Sequence, residues 1–561
     1  METTKNESND EKPRLVDTGR GFSVSYKGRL LYSKYAPEKA IEKTLDTLEI
    51  RAATIVLCAS PALWHGIEKL CGKLGDDCLA LGIETDKDLH DFAEAALEKK
   101  KAADSSLRAE LLPLGMNGKI AEILSREISA GFRIPPVRRV IMIEMSGGAA
   151  FGKETYRMML GAAEDAVSRF WKNRLTLTRF GRLFSRNTIR NIAKIPASVD
   201  FRDISGTVSK KILVLGAGEG TGKLIEEIGA DKIGECLTIA VDAAVPALSA
   251  NGIRIDAIVA VESQLAIEPS YIGARGHTNG TIVFADMSSR SQVADSTGGR
   301  LSFFASSYTK AEFLERLKKE DFFPPAIPPL GSVGLTATYI ALLLRAGTEI
   351  PIAVAGLDFS FSAGRTHTAG TNAEETRLAK RTRLSSDGFF EAAFGNGARK
   401  KCGKNGDVYT DIALSSYAEL FRSAFRAQTN LFDAGKSGLP LGIPDAGDYF
   451  WNFPRGNGIL LKEKGKGKVQ AERAAEKWLE DEERALERLR ELLMFGNDVA
   501  RCGKTAEEEI ESIVSCREYL FLHFPDGYRC DTKNISFLKR IRTETDFFLK
   551  DIRKGISMLG K

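Results

Sequence analysis

One stretch of the chain gathers the residue types that could do chemistry. From Lys211 an apolar run, Lys211-Ile212-Leu213-Val214-Leu215, breaks into a glycine loop, Gly216-Ala217-Gly218-Glu219-Gly220-Thr221-Gly222, and a helical pattern begins at Lys223. A buried strand turning through glycines into a helix offers backbone N–H groups to a phosphate or a ribose. Three further apolar runs each close on a carboxylate: Thr238–Asp242, Ala257–Glu262 and Thr281–Asp286. A later one, Pro351–Asp358, leads into Gly364-Arg365-Thr366-His367-Thr368-Ala369-Gly370. Polar groups collected where parallel strands end mark the expected active site of an open sheet.

The glycine loop fits neither familiar phosphate fingerprint. GxGxxG fails because the third glycine comes one position late. Walker A fails because Ala217 stands at its first glycine and Leu224 at the Mg²⁺-binding Ser/Thr. What survives is a generic nucleotide-contacting loop, or a tight strand–helix turn with no ligand. Asp242 and Glu262, ending neighbouring strands, can bind a ribose hydroxyl or hold a metal. Asp242 equally suits the N-terminus of a helix opened by Ala243-Ala244-Val245. Asp256, ahead of a strand, reads as structural.

Histidine is scarce, five in the chain. His65, His90 and His523 read as packing or surface residues, and His277 sits at the N-terminal end of a strand. His367 alone follows a strand onto the functional edge. It is either a general base working near neutral pH or a loop histidine bonded to backbone.

The elements that must position these residues form several domains. A chain of 561 residues is too long for one core and suggests about two to four. The 43% hydrophobic and 28% charged content is that of a globular protein. A net charge of +5, from 80 basic and 75 acidic residues, does not argue for nucleic acid. Eight cysteines without CxxC spacing fit reduced thiols rather than a metal cage. Met1 to Arg14 is polar and unlike a signal peptide. The apolar runs near Tyr339–Leu344 and Ile350–Leu357 are too short to span a bilayer. The expected location is the cytoplasm.

Residues 1–13 read as disordered, and Gly21–Tyr32 as a hairpin. A first α/β unit follows: a strand Ala53–Cys58, a helix to Leu74 with Ser60 as N-cap and Pro61 at its first position, a strand Cys78–Ile83, a helix Lys87–Lys101 capped by Asp86, and a strand Arg138–Met145. Residues 151–195 are helical and basic. Leu301–Ser306 is a further strand, and Pro324–Pro329 a stiff loop ahead of Gly331-Ser332-Val333-Gly334. Leu335–Leu344 is an almost wholly apolar helix that must be buried. The segment Ser360–Thr410 reads as a basic lid or binding loop, or as a solvated insertion. After a Lys/Gly linker at Lys462–Lys468, helices at 469–495, 505–523 and 534–558 close the chain. The expected architecture is α/β: an N-terminal α/β domain (1–199), a Rossmann-like central domain with a mainly parallel sheet (200–455) and a helical C-terminal domain (456–561).

Gly216-Ala217-Gly218, Val241-Asp242, Asn251-Gly252-Ile253 with Asp256, Val261-Glu262, Gly331-Ser332-Val333-Gly334 and Gly356-Leu357-Asp358 with His367 together resemble the central domain of the motility-associated factor (Maf) flagellin glycosyltransferases. MptE-like 6-hydroxymethylpterin pyrophosphokinases share that domain. Tyr26–Pro37 is similar to the start of the Maf N-terminal domain. A weaker resemblance reaches the family 42 sialyltransferases through Ser332, Gly356-Leu357-Asp358-Phe359 and Tyr409-Thr410-Asp411-Ile412.

The resemblance implies a donor that is a CMP-activated nonulosonic acid and an acceptor that is a flagellin Ser or Thr. It places Gly216, Gly218 and Gly220 near a CMP phosphate or ribose, Asp242 and Glu262 beside the cytidine, and Ser332 and Gly334 against the nucleotide or sugar. His367 or Asp358 would take the acceptor proton. No metal or other cofactor is implied; Mg²⁺ on Asp242, Glu262 and Asp358 belongs to an alternative, ATP-dependent pyrophosphokinase. A second alternative is a flagellin-binding factor with a degenerate site. Two departures from the family pattern stand out. Glu219-Gly220 replaces Pro-Ser after the Gly-x-Gly, and no histidine precedes Thr410-Asp411.

Overall fold

The protein is described by a computed structural model covering residues 12–114, 137–272, 274–278, 280–384, 394–395, 397–460, 467–495 and 505–560. The disorder expected over 1–13 lies outside the described residues up to residue 11, and the Lys/Gly linker up to residue 466. Compactness divides the chain once, into Met1–Arg179 with Phe524–Arg529 and Phe180–His523 with Cys530–Lys561. That single boundary falls within the helix Lys153–Ile192, ahead of the expected 199, and counts the C-terminal helices with the central sheet.

In the first unit, β1 (Arg14–Asp17), β2 (Phe22–Tyr26) and β3 (Arg29–Leu30) form an antiparallel sheet. Then β4 (Thr54–Ala59), β5 (Leu79–Ile83), β6 (Ala109–Leu111) and β7 (Arg139–Glu144) form a parallel sheet in the order β6-β5-β4-β7. Asp86 caps the helix Lys87–Ala103 as expected, accepting from the N–H groups of Asp88 and Leu89. Ser60 caps nothing. Its hydroxyl donates to Glu84 at 2.8 Å, Tyr32 fixes Pro61 and Leu63 through its own hydroxyl, and the helix starts only at Ile67. Tertiary bonds to this turn override the Ser-Pro start signal.

The second unit is built on one parallel sheet. Its strands are β8 (Ile212–Leu215), β9 (Leu237–Val241), β10 (Ala257–Ala260), β11 (Ile282–Asp286), β12 (Arg300–Ser306), β13 (Ala326–Ile327) and β14 (Ile352–Ala355). The hairpin β15 (Arg399–Gly403) and β16 (Gly406–Thr410) stands apart, and β17 (Leu431–Asp433) completes the sheet in the order β13-β12-β11-β10-β9-β8-β14-β17. Strands β8 to β11 and β14 are continuously buried, as a sheet covered on both faces requires. The helix Val333–Leu344, apolar on all sides, packs across β8, β9 and β10.

The helix Gly467–Phe495 buries Trp478, Leu479, Leu486, Leu489 and Leu492, and packs along Ile535–Leu559. Its expected amphipathic face is therefore its packing face. Among the described residues no helix is long and apolar enough to cross a membrane.

Candidate active site

The chain enters the large sheet at β8, proceeds outward through β9 to β13, then returns to place β14 on the other side of β8. The strand order thus reverses between β8 and β14, where an open parallel sheet forms its ligand crevice. The loop after β8 is the glycine loop, and the loop after β14 is Gly356-Leu357-Asp358.

These two loops close on each other. Gly218 donates its N–H to the Gly356 carbonyl at 2.9 Å, and Thr221 its hydroxyl to the Gly216 carbonyl at 2.7 Å. A Cβ on Gly216 would overlap the Gly356 carbonyl, and one on Gly218 would come within 2.7 Å of the Asp358 carboxyl. Gly356 itself has φ +67°, a left-handed conformation that favours glycine. The glycines are therefore required by the neighbouring loop. Leu357 wedges between Gly216 and Gly334, where a Cβ at either position would strike its side chain. Gly334 thereby sets the start of the helix Val333–Leu344 against the switch point.

Asp358 occupies the anion seat of the glycine loop. Its Oδ2 accepts from the Gly220 N–H at 2.8 Å and from the Ser437 hydroxyl at 3.1 Å, while its buried Oδ1 has no partner. Burial raises this carboxyl above the usual carboxylate range, against the pull of the Gly220 N–H and the Lys404 ammonium. The next residue, Phe359, holds φ +46°, a strained value for a side-chain-bearing residue. Its carbonyl is bound by Thr410, and that of Asp358 by Leu439 and Ser360. Glu219, the departure from the family pattern, turns along the helix to pair with Lys223 at 2.9 Å.

His367 lies on the loop that folds over the glycines. Thr368 donates its N–H to the Ala217 carbonyl at 2.9 Å, and Gly222 leaves room for the Thr368 hydroxyl. The His367 Nδ1 lies 3.1 Å from the Thr366 hydroxyl, which also accepts from Arg377 at 2.6 Å. Burial first, and then the Arg377 cation, hold the imidazole below its ordinary value, so it is neutral at neutral pH. In that state it can take a proton.

Asp242 and Glu262 follow β9 and β10. Asp242 opens a short 3-10 turn and accepts from the Ala243 N–H at 2.8 Å. Burial, with the Glu262 charge adding to it, pushes its carboxyl up to about 7. Glu262 accepts from the Ser263 and Gln264 N–H groups at 2.9 and 3.0 Å. Both carboxylates thus meet their own turns, and among the described residues no three acidic, histidine or cysteine side chains gather around a metal-sized point. Asp286 is enclosed by Ser288 and Ser306. Asp256 takes the Thr238 N–H at 3.0 Å, the structural part expected of it.

Ser332 is differently placed. It is the N-cap residue of Val333–Leu344, yet its hydroxyl makes no capping bond. That twelve-residue helix points its positive end at the same sheet edge as the glycine loop.

Two side chains of this site had no sequence signal. Ser437 follows β17, a strand too short to show periodicity. Lys404, one of the basic residues of the long loop, turns inward to pair with Asp433 at 2.5 Å and the Gly435 carbonyl at 3.0 Å. Arg399, Lys400 and Lys401 remain exposed on β15. The long loop also holds a helix, Asn372–Ala379, and its residues 385–393 and 396 lie outside the described set.

Residues 186–364 match the family described as 6-hydroxymethylpterin diphosphokinase MptE-like. A Treponema pallidum (strain Nichols) protein, described as uncharacterized, is 28% identical over 555 residues, covering 96% of this chain and 94% of its own. The Maf glycosyltransferase from Magnetospirillum magneticum AMB-1 aligns with a TM-score of 0.55 at 12% identity, over 99% of this chain and 91% of that one. The MptE-like domain implied by the sequence is present at the centre of the chain. The chain as a whole has the fold of a Maf glycosyltransferase.

Proposed function

We propose that this protein is a glycosyltransferase that moves a nonulosonic acid, of the pseudaminic, legionaminic or sialic type, from a CMP-activated donor to Ser or Thr of flagellin in the cytoplasm. The observation that carries the reading is the contrast between two helix N-termini at one sheet edge. That of Glu219–Ile228 is filled by the Asp358 carboxylate, while that of Val333–Leu344 is left with an uncommitted Ser332 hydroxyl. One open helix N-terminus suits a donor with a single phosphate.

The phosphate of the donor sits at Ser332 and the following N–H groups. Exposed Arg399, Lys400 and Lys401 draw the anionic sugar toward the edge. Neutral His367 takes the proton of the acceptor hydroxyl as its oxygen bonds to the anomeric carbon. The bond from that carbon to the phosphate oxygen breaks, and CMP leaves with the electron pair. The helix N-terminus stabilises the charge that develops on the leaving phosphate.

The MptE-like match keeps a second reading in view, transfer of diphosphate from ATP. A triphosphate would need a cradle such as the glycine loop, which Asp358 already occupies. Calorimetric titration with CMP and ATP, each with and without Mg²⁺, separates the two. Metal-independent binding of CMP supports sugar transfer. Binding of ATP with Mg²⁺ alone sinks it, and no binding at all leaves a flagellin-binding factor.

A further inference from the structure

The hairpin β15–β16 leaves one edge of its ladder open. Phe361 and Tyr409 exchange both backbone hydrogen bonds at 2.8 Å, so the N–H and C=O of Tyr409 face away from β15. Hydrogen-bonded and non-bonded pairs alternate along an antiparallel ladder. Tyr409 lies opposite Lys400, and Asp407 opposite Cys402. The inward bonds of β15 therefore belong to Arg399, Lys401 and Gly403, while Lys400 and Cys402 turn their N–H and C=O outward. Among the described residues no strand pairs with these outward groups. The edge has neither a bulge nor a proline to close it, and Lys400 is tied to Asp407 at 2.6 Å rather than guarding it.

The same hairpin is fixed to the reaction site at both ends. The Thr410 hydroxyl donates to the Phe359 carbonyl at 2.9 Å, and the Lys404 N–H to the Gly438 carbonyl at 2.9 Å. Phe359 follows Asp358, and Gly438 follows Ser437, whose hydroxyl donates to the Asp358 carboxyl. Phe394, 69% exposed, meets the Tyr409 ring edge-on at 5.8 Å, and Tyr409 stacks on Phe361 at 6.4 Å.

We propose that β15 is a docking edge on which an extended, acidic segment of the acceptor protein adds as a further strand. The assignment rests on the glycosyltransferase reading and says how a polypeptide acceptor is held beside Asp358. Beyond the single pair at Phe361 the hairpin has only two strands, which alone are marginal in water. An added strand contributes main-chain hydrogen bonds whatever its sequence. Charge sets the character of the segment. Arg399 and Lys401 are exposed and without an ion pair among the described residues, so carboxylates complement them. Alternate side chains of the added strand lie on the face of Tyr409 and Phe394, and the others on the face of Arg399 and Lys401.

The test is fluorescence anisotropy on the full chain with a short labelled peptide, aspartate, glutamate and valine around a central threonine. The wild type should bind it saturably. Cys402→Pro removes one outward N–H and keeps the inward ladder, and should weaken binding about fivefold, the effect of one hydrogen bond. Cys402→Ala should bind the peptide as the wild type does, and CMP should bind all three proteins alike. Peptides N-methylated at alternate residues should bind the wild type weakly in one phase and normally in the other, because every second N–H of an added strand faces β15. Equal affinity of the wild type and Cys402→Pro, with both N-methylated peptides unaffected, overturns strand addition, while CMP binding keeps the transferase reading. No peptide binding by a wild type that binds CMP has the same meaning. A wild type that binds neither overturns both. Thermal unfolding of Cys402→Pro separates lost binding from lost folding.

Discussion

Gly220 donates its backbone N–H to Oδ2 of Asp358 at 2.8 Å, across the point where the sheet reverses its strand order. The bond puts a carboxylate from β14 where a nucleotide phosphate would sit in a glycine-loop site. A Cβ on Gly220 would come within 2.6 Å of Asp358 Oδ1. Gly220→Ala should therefore destabilise the fold by about 1–3 kcal/mol, an overpacking cost. Denaturant unfolding measures it. A variant as stable as the wild type, with only nucleotide affinity lost, would assign the glycine to the ligand instead.

Ser332→Ala should have the opposite profile. Removing an N-cap hydroxyl commonly costs about 1 kcal/mol, but this one makes no capping bond. Stability should change by less than about 0.5 kcal/mol, as at uninvolved surface sites. CMP affinity should fall by roughly tenfold to a hundredfold, one hydrogen bond to a charged group. Unfolding curves and calorimetry on the same sample check both halves.

Removing the imidazole in His367→Ala should lower kcat by about 10²–10⁴ and leave CMP binding intact, as for loss of a general base. In the wild type, activity should fall with acid as the imidazole gains its proton. The midpoint should lie below the ordinary histidine value, because burial and Arg377 disfavour the cation. A pH–rate profile with its acidic limb unchanged in His367→Ala would assign the base elsewhere.

Asp242 makes stability depend on pH. Its folded carboxyl titrates at about 7, above the unfolded value of roughly 4. The neutral form's contribution is fully present below pH 4, declines from there, and is gone once pH has risen through 7. At pH 8 the wild type should be less stable than Asp242→Asn by up to about 4 kcal/mol, relative to their difference at pH 4. Equal pH dependence in the two proteins would mean that the carboxyl titrates normally.

Lys404→Met should leave Asp433 buried and unpaired, with only the Gly435 N–H on Oδ1. Breaking a buried pair this way costs about 3–5 kcal/mol. Activity should also fall, because Ser437 on the same loop supports Asp358. Lys404→Arg, which keeps the charge, should recover part of the stability in urea unfolding.

The parallel sheet was legible because β8, β9, β10, β11 and β14 are unbroken apolar runs, and the glycine loop because it follows one of them. Asp242, Glu262 and His367 could be placed at the sheet edge because each follows an apolar run, and Ser332 through the family resemblance. What Asp358 does was not legible, since it depends on β14 lying beside β8 and brings Asp358 to Gly220, 138 residues away in sequence. The same holds for Ser437 and for Lys404, whose inward turn is set by Asp433. The Ser60-Pro61 helix start failed because local capping signals yield to tertiary bonds from Tyr32 and Glu84.

The most direct test is transfer itself: purified protein, its flagellin and a CMP-activated nonulosonate, incubated with a metal chelator and read by intact mass and released CMP. The account predicts flagellin heavier by whole nonulosonate residues, CMP released in equal number, and neither product with His367→Ala. Unmodified flagellin, together with AMP formed from ATP and a hydroxymethylpterin when Mg²⁺ is supplied, would contradict it.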